Sequence, residues 1–524
     1  MLSRVSGFVR EAVFAFYFGN SAVADAWGAA QRTPNVIQNL LGEGTLSASF
    51  IPVYAEFLEE GREEDAGRFA GAALGVLATV AYGLALIGML VAPILVAVLF
   101  PRWEPWKQDL TVHLVRILFP MTATLAVSAW ALGILNSHRQ FFISYVAPVL
   151  WSLAQIAVLL TFGSWLGWKA AGREQDLIIA MGWGALAGGF LQLLVMLPWV
   201  LPVMHHFRLS VSRKVVGMRE AISNFGPVVL ARGVVNISGL LDFVLAGLLA
   251  TGAVAMLRYA QQLYVLPISL FGMAIAASEL PEMARKRGEA DEVLRARIRS
   301  ALERVAFLLV PSMLGYMVLG DVFVAGLLQR GEFDPVDTAA VYAVLAAYSM
   351  GVLASASSRA LSSAYYALRD TRTPARIAVV RVAVSAAVGA GLMFPLDRIG
   401  LGELRLGAVG LALGAVVGSW LEFTLLRRKL RQRVGEHGPS TSYILRISAA
   451  GVCASVAGLG GKWLLGSAIP VREGWLHALL GPDSWLLWPG VAAGTAVIFG
   501  VTYLGAASAL GIGVPVRALL RRRR

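Results

Sequence analysis

The chain has 524 residues, of which 57% are hydrophobic and only 15% are charged, against about 25% charged residues in soluble domains. This composition excludes a water-soluble enzyme and a disordered chain, and the single cysteine excludes a secreted fold built on intrachain disulfides. The net charge of +13 would suggest nucleic acid as a partner of a soluble protein, but the apolar stretches favour a membrane protein and make nucleic acid a poor interpretation.

Apolar stretches long enough to cross a bilayer, about 20 residues each, recur along the whole chain. Four of them, the second, third, eighth and tenth, exceed one membrane thickness, which predicts tilting, kinking or extension into water. The predicted fold class is therefore an all-α polytopic membrane protein with fourteen transmembrane helices. These lie at residues 4–19, 22–57, 69–99, 109–136, 142–163, 177–200, 220–249, 252–283, 305–328, 336–366, 377–395, 406–426, 447–466 and 488–513.

The distribution of basic residues predicts the orientation of these helices. If the N-terminus is cytoplasmic, the loops and tail on that side hold 28 Lys and Arg residues, the opposite side holds nine, and eight arginines lie within the spans. The nine on the opposite side include Lys107 and Lys462. Because Lys and Arg concentrate in cytoplasmic loops, both termini are predicted to face the cytoplasm. The opposite loops have the tryptophans typical of an interfacial belt, namely Trp103, Trp106, Trp165, Trp168, Trp475 and Trp485.

Two clusters of basic residues lie on the predicted cytoplasmic side. One follows the twelfth span, and the other is the C-terminal tail Arg521–Arg524. Both are predicted to bind the headgroups of anionic phospholipids, with a specific protein partner as the less favoured alternative. The first cluster consists of Arg427, Arg428, Lys429, Arg431 and Arg433.

Segments that recur at an offset near 230 residues indicate an internal repeat. Ala22–Ala24 matches Ala253–Ala255, Ser49–Ala55 matches Ser278–Ala284, and Arg139 falls over Arg369. The offset crosses an even number of spans, so the repeats are parallel, as in transporters with two lobes. The predicted organisation is an N-terminal lobe (1–200), a basic linker with an amphipathic surface helix (201–219), a C-terminal lobe (220–430), and two further helices with a basic tail (431–524).

Eight arginines fall inside predicted spans. Facing lipid, each would cost about 2.5–3.5 kcal/mol even on insertion scales. Three of them, Arg4, Arg116 and Arg381, lie near span ends and have snorkelling to the interface as an alternative. The others, which require a hydrated cavity or a charged partner, are Arg10, Arg32, Arg232, Arg258 and Arg359.

The second span is the most informative, because its polar residues recur at helical spacing. Asp25, Arg32, Asn35, Asn39 and Glu43 are seven, three, four and four residues apart, which predicts one polar face. One interpretation is an internal network in which Asp25 and Glu43 neutralise arginines. The other is a cationic, hydrated cavity that binds a substrate.

The first, seventh and eighth spans add candidate residues for such a cavity. In the first span, Glu11 follows Arg10 directly. Arg232 and Asn236 share a face in the seventh span, and Arg258 and Gln262 share one in the eighth. Guanidinium groups match the bidentate geometry of phosphate and carboxylate. Within the bounds of the predicted spans the only lysine is Lys462, which lies near a span end and is counted with the outer loops. A proton or cation exporter is instead expected to place carboxylates in such a cavity.

Covalent chemistry is not indicated. The chain has no P-loop, its serines lack a His/Asp pattern, and its six histidines are not spaced as metal ligands. A polytopic glycosyltransferase would need a large acidic loop, for which the predicted connections are too short. The sequence therefore predicts a protein that is not an enzyme and needs no cofactor or metal.

The N-terminal motifs resemble those of the MurJ/MviN family of lipid II flippases, members of the multidrug/oligosaccharidyl-lipid/polysaccharide exporter superfamily. The resemblance continues over the whole chain, and the count of fourteen spans agrees with it. Its motifs are SRVSGFVRE (Ser3–Glu11), Ala24-Asp25-Ala26, RTPN (Arg32–Asn35), GEGTLSASFIPV (Gly42–Val53) and DTRTP (Asp370–Pro374).

The resemblance implies transport of lipid II, the undecaprenyl-diphosphate-linked disaccharide-pentapeptide precursor of peptidoglycan, from the inner to the outer leaflet of the bacterial cytoplasmic membrane. It implies that Arg10 lines a cavity, that Arg4 belongs to the opening motif and that Asp25 is an acidic partner. The predicted substrate-binding residues are Arg4, Arg10, Asp25, Arg32, Asn35, Glu43, Arg258 and Gln262, with Glu11, Asn39, Arg232 and Asn236 as secondary cavity residues.

The chain departs from the family pattern conservatively at Glu11, where an aspartate is usual, and more strongly at three other positions. Family arginines of the second and eighth spans fall on Gln38 and Gln262, and we hypothesise that Arg258 supplies the missing charge. The family's asparagine of the eleventh span falls on Gly389, which argues against a sodium site there. A drug or cation antiporter, or another polysaccharide-lipid exporter of the superfamily, is the alternative function. A regulatory protein with a degenerate transport core is a third.

Overall fold

The computed structural model describes residues 2–42, 45–46, 49–204, 206–273, 275, 291–401, 404–482 and 484–512. Almost all of them are helical, and they form two compact units, Met1–Val254 and Ala255–Arg524. The first unit includes the helix of the predicted seventh span, which the sequence analysis assigned to the C-terminal lobe.

The first unit is an all-helical bundle around one central helix. Its buried centre is α5, which packs against α2, α4 and α7, while α1 packs on α6 and α8 packs on α2. A π-helix, Leu159–Trp165, extends α6. The helices are α1 (Leu2–Phe18), α2 (Ala22–Leu41), α3 (Ile51–Glu59), α4 (Glu63–Leu99), α5 (Pro105–Ser137), α6 (Phe141–Val158), α7 (Glu174–Val200) and α8 (Met218–Ala246).

The second unit is also helical, with two short β-hairpins. Its long helix α10 packs on α11, α12, α15 and α17, and α13 packs along α14. Helix α9 is extended by a π-helix, Ile268–Gly272. The elements are α9 (Ala253–Pro267), α10 (Asp291–Leu328), α11 (Pro335–Ser349), α12 (Val352–Ala367), α13 (Arg372–Asp397), β1 (Gly400–Leu401), β2 (Leu404–Arg405), α14 (Gly407–Val434), α15 (Thr441–Leu465), β3 (Gly466–Ser467), β4 (Arg472–Glu473), α16 (Trp475–Leu480) and α17 (Leu487–Ala509).

The all-α polytopic fold class is confirmed. Within the described ranges, nine helices are long and apolar enough to cross a membrane, and ten if the bent pair α11–α12 is one span. The four predicted spans outside this set correspond to α1, α2, α8 and α9. The sequence analysis placed most of its candidate site residues on these four helices. Helices α1 and α9 are also short, with 17 and 15 residues.

Local geometry supports the internal repeat. Arg139 and Arg369, which the repeat aligns, are both left-handed, with φ of 59° and 58°. In both units, the next residue's N–H donates to the carbonyl five residues back, from Gln140 to Leu135 and from Asp370 to Tyr365. This is the Schellman pattern at a helix C-terminus. The predicted fourth and tenth spans therefore end in the same cap.

The linker prediction is wrong in one respect, since the described residues 206–217 form no amphipathic helix. The segment instead lies with its backbone against a glycine groove on α4. A Cβ added at Gly71 would overlap the carbonyl oxygen of Arg208, and one at Gly75 would overlap that of Ser210. Because these glycines are four residues apart on one helix face, they admit an extended chain that larger residues would exclude.

Candidate functional site

A polar cavity of about 820 Å³ lies within the first unit, among α1, α2, α5, α6 and α7. This volume falls in the range of about 300–1,000 Å³ typical of sites for small organic ligands. Its walls are polar on α1, α2 and α7 and largely apolar on α5. The lining consists of Ser3, Gly7, Arg10, Gln31, Asn35, Gln38, Asn39, Gly42, Leu125, Ala129, Leu132, Pro148, Trp151, Ser152 and Gln192.

Helix α2 contributes the largest polar wall of this cavity. Gln31, Asn35, Gln38 and Gly42 succeed one another at intervals of three or four residues and so share one face, with Asn39 at its edge. The helix begins at Ser21, whose hydroxyl accepts a hydrogen bond from the Ala24 N–H at 3.3 Å, and it continues through Pro34 to Leu41. The predicted site residues Asn35 and Asn39 therefore lie on the cavity wall.

Arg10 is the cation that lines this cavity. It shares a face of α1 with Ser3 and Gly7, and its side chain is 13% exposed. The guanidinium carbon lies 4.6 Å from the ring centroid of Trp151, which holds the planar group by a cation–π contact. Its Nη2 lies 3.8 Å from Oε2 of the buried Glu11. Arg10 is thus held from two sides while it still borders the cavity.

The structure places Asp25 away from the lining of this cavity. Asp25 is 1% exposed, and its Oδ2 accepts hydrogen bonds from Nζ of Lys107 at 2.8 Å and from the N–H of Gly252 at 2.7 Å. This carboxylate joins α2, α5 and the residues after α8. Asp25 thus forms an ion pair with a lysine, whereas the network interpretation paired it with arginines.

Two residues that the sequence analysis assigned to the outer side, Lys107 and Trp103 of the predicted interfacial belt, are buried. Nε1 of Trp103 donates to the carbonyl of Gly247 at 2.9 Å, and Nζ of Lys107 lies 4.1 Å from the Trp103 ring centroid. The Asp25 carboxylate explains why Lys107 is buried, because a buried charge requires a partner of opposite charge. Helix α5 begins at Pro105, so Lys107 lies in its first turn and reaches this carboxylate.

Arg32 and Arg4 are likewise not among the residues that line the cavity. The Arg32 guanidinium carbon lies 5.1 Å from the ring centroid of Phe243 on α8, and its Nη2 approaches Gly239 so closely that a Cβ there would overlap it. Arg4 is exposed on α1. At about 100° per residue, Arg32 and Asp25 lie roughly a quarter turn around α2 from the centre of the cavity wall.

The second unit holds Arg258 and Gln262, which lie on α9 and are half-buried. The Arg258 guanidinium carbon lies 4.7 Å from the ring centroid of Tyr259. Three candidates cannot be placed in this way. Glu43 lies outside the described residues, as do the side chains of Arg232 and Asn236, although α8 itself includes both positions.

The second unit also has polar contacts that the sequence analysis missed. Arg381, a candidate for snorkelling, donates from Nη1 to Oε2 of Glu422 at 3.1 Å. Lys462, counted with the outer loops, lies in the last turn of α15, and its Nζ lies 2.6 Å from Oδ2 of the fully buried Asp321. Since the partners are far apart in the sequence, helix periodicity carried no signal for either pair.

The cavity residues that the sequence analysis did not list as site residues are mostly neutral. Gln31, Trp151, Ser152 and Gln192 line it, and Gln38 was singled out only as a departure from the family pattern. A search for intramembrane charges passes over amides and aromatic rings. The spacing of Gln31, Asn35 and Gln38 on one helix face was the available signal.

Apolar helices that surround a polar, arginine-bearing cavity define a multi-pass membrane transport protein. The family model "Lipid II flippase MurJ" matches residues 14–477. A probable lipid II flippase MurJ of Rhizobium meliloti is 31% identical, over 99% of this chain and 93% of its own length, and a lipid II flippase MurJ of Burkholderia cenocepacia is 29% identical over 88% and 87%. The chain belongs to the MurJ lipid II flippase family.

Solved structures agree on the fold. A lipid II flippase MurJ in an inward closed conformation superposes with a TM-score of 0.73 at 19% identity, covering 97% of this chain and 96% of that one. An inward-facing multidrug resistance MATE transporter of the MOP superfamily gives a TM-score of 0.66 at 15% identity, covering 82% and 94%. The chain therefore shares its fold with both of these solved structures.

Proposed function

We propose that this protein transports lipid II from the inner to the outer leaflet of the bacterial cytoplasmic membrane by alternating access. Membership of the MurJ family supports the substrate. The observation that carries the proposal is a polar cavity of about 820 Å³ inside the first unit, with Arg10 on its wall. A guanidinium is the side chain best suited to bind a diphosphate, because its planar fork of N–H donors matches the phosphate oxygens.

In this proposal, the head group enters the cavity while the polyprenyl tail stays in the lipid. Arg10 contacts the diphosphate, and Asn35, Gln38 and Asn39 contact the neighbouring part of the head group. The membrane potential favours the outward step, since moving one negative charge outward across about 100 mV gains about 2.3 kcal/mol.

The proposal gives the other candidate residues different roles. Asp25 acts through its ion pair with Lys107, which holds α2 against α5. Arg4, Arg32 and Glu43 are candidates for contacts made when the head group enters or leaves. Arg258 and Gln262 are the candidate anion-binding groups of the second unit, and full transport by an Arg258→Ala variant would remove that unit's arginine from the proposal.

The proposal places both termini in the cytoplasm, with the lobes at 1–200 and 220–430. Anionic phospholipids then contact the basic clusters at the cytoplasmic surface. The exposed residues of the first cluster fit this role, while Arg433 also contacts Oδ2 of Asp370 at 2.8 Å. Hydrogen-bond donors at such a surface attract lipid phosphates at about 1 kcal/mol per basic residue.

A drug or cation antiporter is not favoured. A cation substrate calls for carboxylates, and among the described lining residues the only charged side chain is that of Arg10. The deciding experiment uses cells depleted of their own flippase, in which an externally added hydrolase cleaves only the lipid II of the outer leaflet. Expression of this chain should restore cleavage, and Arg10→Ala should abolish the restoration.

The matched control is Arg116→Ala, which removes an exposed arginine of α5 that does not line the cavity. Immunoblotting of the membranes checks that all variants are present at equal levels. If the wild-type chain fails to restore cleavage, the substrate is wrong. If Arg10→Ala restores it fully, the role of the cavity is wrong.

A further inference from the structure

The cavity wall has an excess of carboxamides that a diphosphate does not require. Gln31, Asn35, Gln38 and Asn39 come from α2 and Gln192 from α7. Among the described lining residues, Arg10 is the only one with a guanidinium. An ionised diphosphate accepts hydrogen bonds but donates none. The NH2 group of each carboxamide could therefore donate to it, but the carbonyl oxygen would have no donor from the diphosphate.

Most of these carboxamides have hydrogen-bonding groups that are available to a ligand. Within the described part of the chain, the side chains of Gln31, Asn35, Gln38 and Gln192 make no hydrogen bond to protein. Gln192 is only 6% exposed, and its side chain borders the cavity. A carboxamide that lacks a protein partner gains free energy when a ligand supplies one. A ligand that both donates and accepts hydrogen bonds would supply both kinds of partner.

Trp151, which lines the same cavity from α6, is held by contacts on its ring and backbone. Nε1 of Trp151 donates to Sδ of Met121 at 3.3 Å, and the Trp151 carbonyl accepts from Nε2 of the buried Gln155 at 3.0 Å. The ring also lies 4.6 Å from the Arg10 guanidinium carbon. A rigid ring beside neutral amides provides an apolar surface for the C–H face of a sugar, next to donors and acceptors for its substituents.

We propose that the carboxamides of α2 and α7, together with Trp151, form a subsite for the N-acetylated sugar of the head group, while Arg10 binds the adjoining phosphate. Hydroxyl and acetamido groups each donate and accept hydrogen bonds, as carboxamides do. The subsite rests on the proposed function, and it adds that the first unit distinguishes a sugar-bearing polyprenyl diphosphate from a bare one.

The test compares the affinities of the purified full-length protein for three lipids. These are undecaprenyl diphosphate, the same lipid with the disaccharide alone, and lipid II. The double variant Asn35→Leu/Gln38→Leu should bind both sugar-bearing lipids about 10-fold more weakly, the equivalent of about one neutral hydrogen bond at 1.4 kcal/mol per tenfold. Its affinity for undecaprenyl diphosphate should stay within twofold of the wild type. Gln175→Leu, at an exposed glutamine of α7 outside the cavity, is the matched control.

Gln38→Arg tests the subsite without removing a side chain. It should raise the affinity for undecaprenyl diphosphate more than that for lipid II, which lowers the preference for sugar. Equal changes for all three lipids in both variants would overturn the subsite, and a loss confined to lipid II would assign the wall to the peptide instead. If the wild type binds none of the lipids, the proposed function itself fails.

Discussion

Replacing Asp25 by asparagine should destabilise the first unit, because it leaves a buried ammonium without its carboxylate. Asp25 and Lys107 have side chains that are 2% and 6% exposed, and their charged atoms lie 2.8 Å apart. Removing one partner of such a pair costs about 3–5 kcal/mol, whereas replacing both partners by neutral groups costs far less. Asp25→Asn and Lys107→Met should therefore each cost about that much.

The double variant Asp25→Asn/Lys107→Met is the informative one. It keeps an oxygen that can accept from the Gly252 N–H and removes both charges, so its loss should be about 1–2 kcal/mol. The difference from additivity should then be at least about 2 kcal/mol. The control is Lys169→Met, which breaks the more exposed Lys169–Glu174 pair and should cost no more than about 1 kcal/mol.

Free energies of unfolding from SDS titration in mixed micelles, followed by far-UV circular dichroism, give all four values. Additive losses would refute the coupling between the two charges. A Lys107→Met variant as stable as the wild type would show that the carboxylate of Asp25 does not depend on the lysine.

Two further predictions concern the linker and the loop before α15. Gly71→Leu should displace the segment at Arg208 and speed tryptic cleavage there at least fivefold. Gly83→Leu is the control, because an added Cβ there meets nothing within 4 Å, and it should leave the cleavage rate unchanged. Equal cleavage rates for the two variants would contradict the packing of the linker in the glycine groove. Burial lowers the pKa of His437 below its usual 6.5, and nearby Arg427 lowers it further. As the pH falls, the unfolded chain therefore binds the proton before the folded chain does, so the stability of the protein should fall below pH 6.5. His437→Gln should lessen that fall in thermal denaturation scans across pH 5–7. If the dependence of stability on pH is the same in this variant, His437 is not its cause.

The sequence predicted the class of fold well, because spans of apolar residues and the bias of basic residues are one-dimensional patterns. Within the described residues, each predicted span contains a helix or a helix pair such as α11–α12. The same patterns missed what long-range contacts decide. In the sequence, Lys107 has the features of a loop residue, and only the packing of α5 on α2 shows its ion pair with Asp25. The linker has the pattern of a helix in the sequence, but in the structure its backbone lies in the groove at Gly71.

Only part of the candidate site could be predicted, and the reason is geometric. Spacings of three, four and seven residues define a helix face only to within about a third of a turn. Asn35 and Asn39 reached the cavity, but Arg32 fell on the side of α2 that meets α8, beside Phe243. A search for charges also favoured ion pairs over the neutral amides that make up most of the polar wall, such as Gln38.

The central claim is that the lipid II head group occupies the cavity of the first unit. Photo-crosslinking tests it most directly, with a photoreactive amino acid in place of Gln38 on the cavity wall or in place of Ile94, which is 68% exposed on α4. In cells with radiolabelled peptidoglycan precursors, position 38 should form an adduct that carries both the sugar and the diphosphate, and position 94 should not. Adducts at position 94 alone, or equally at both positions, would contradict the claim.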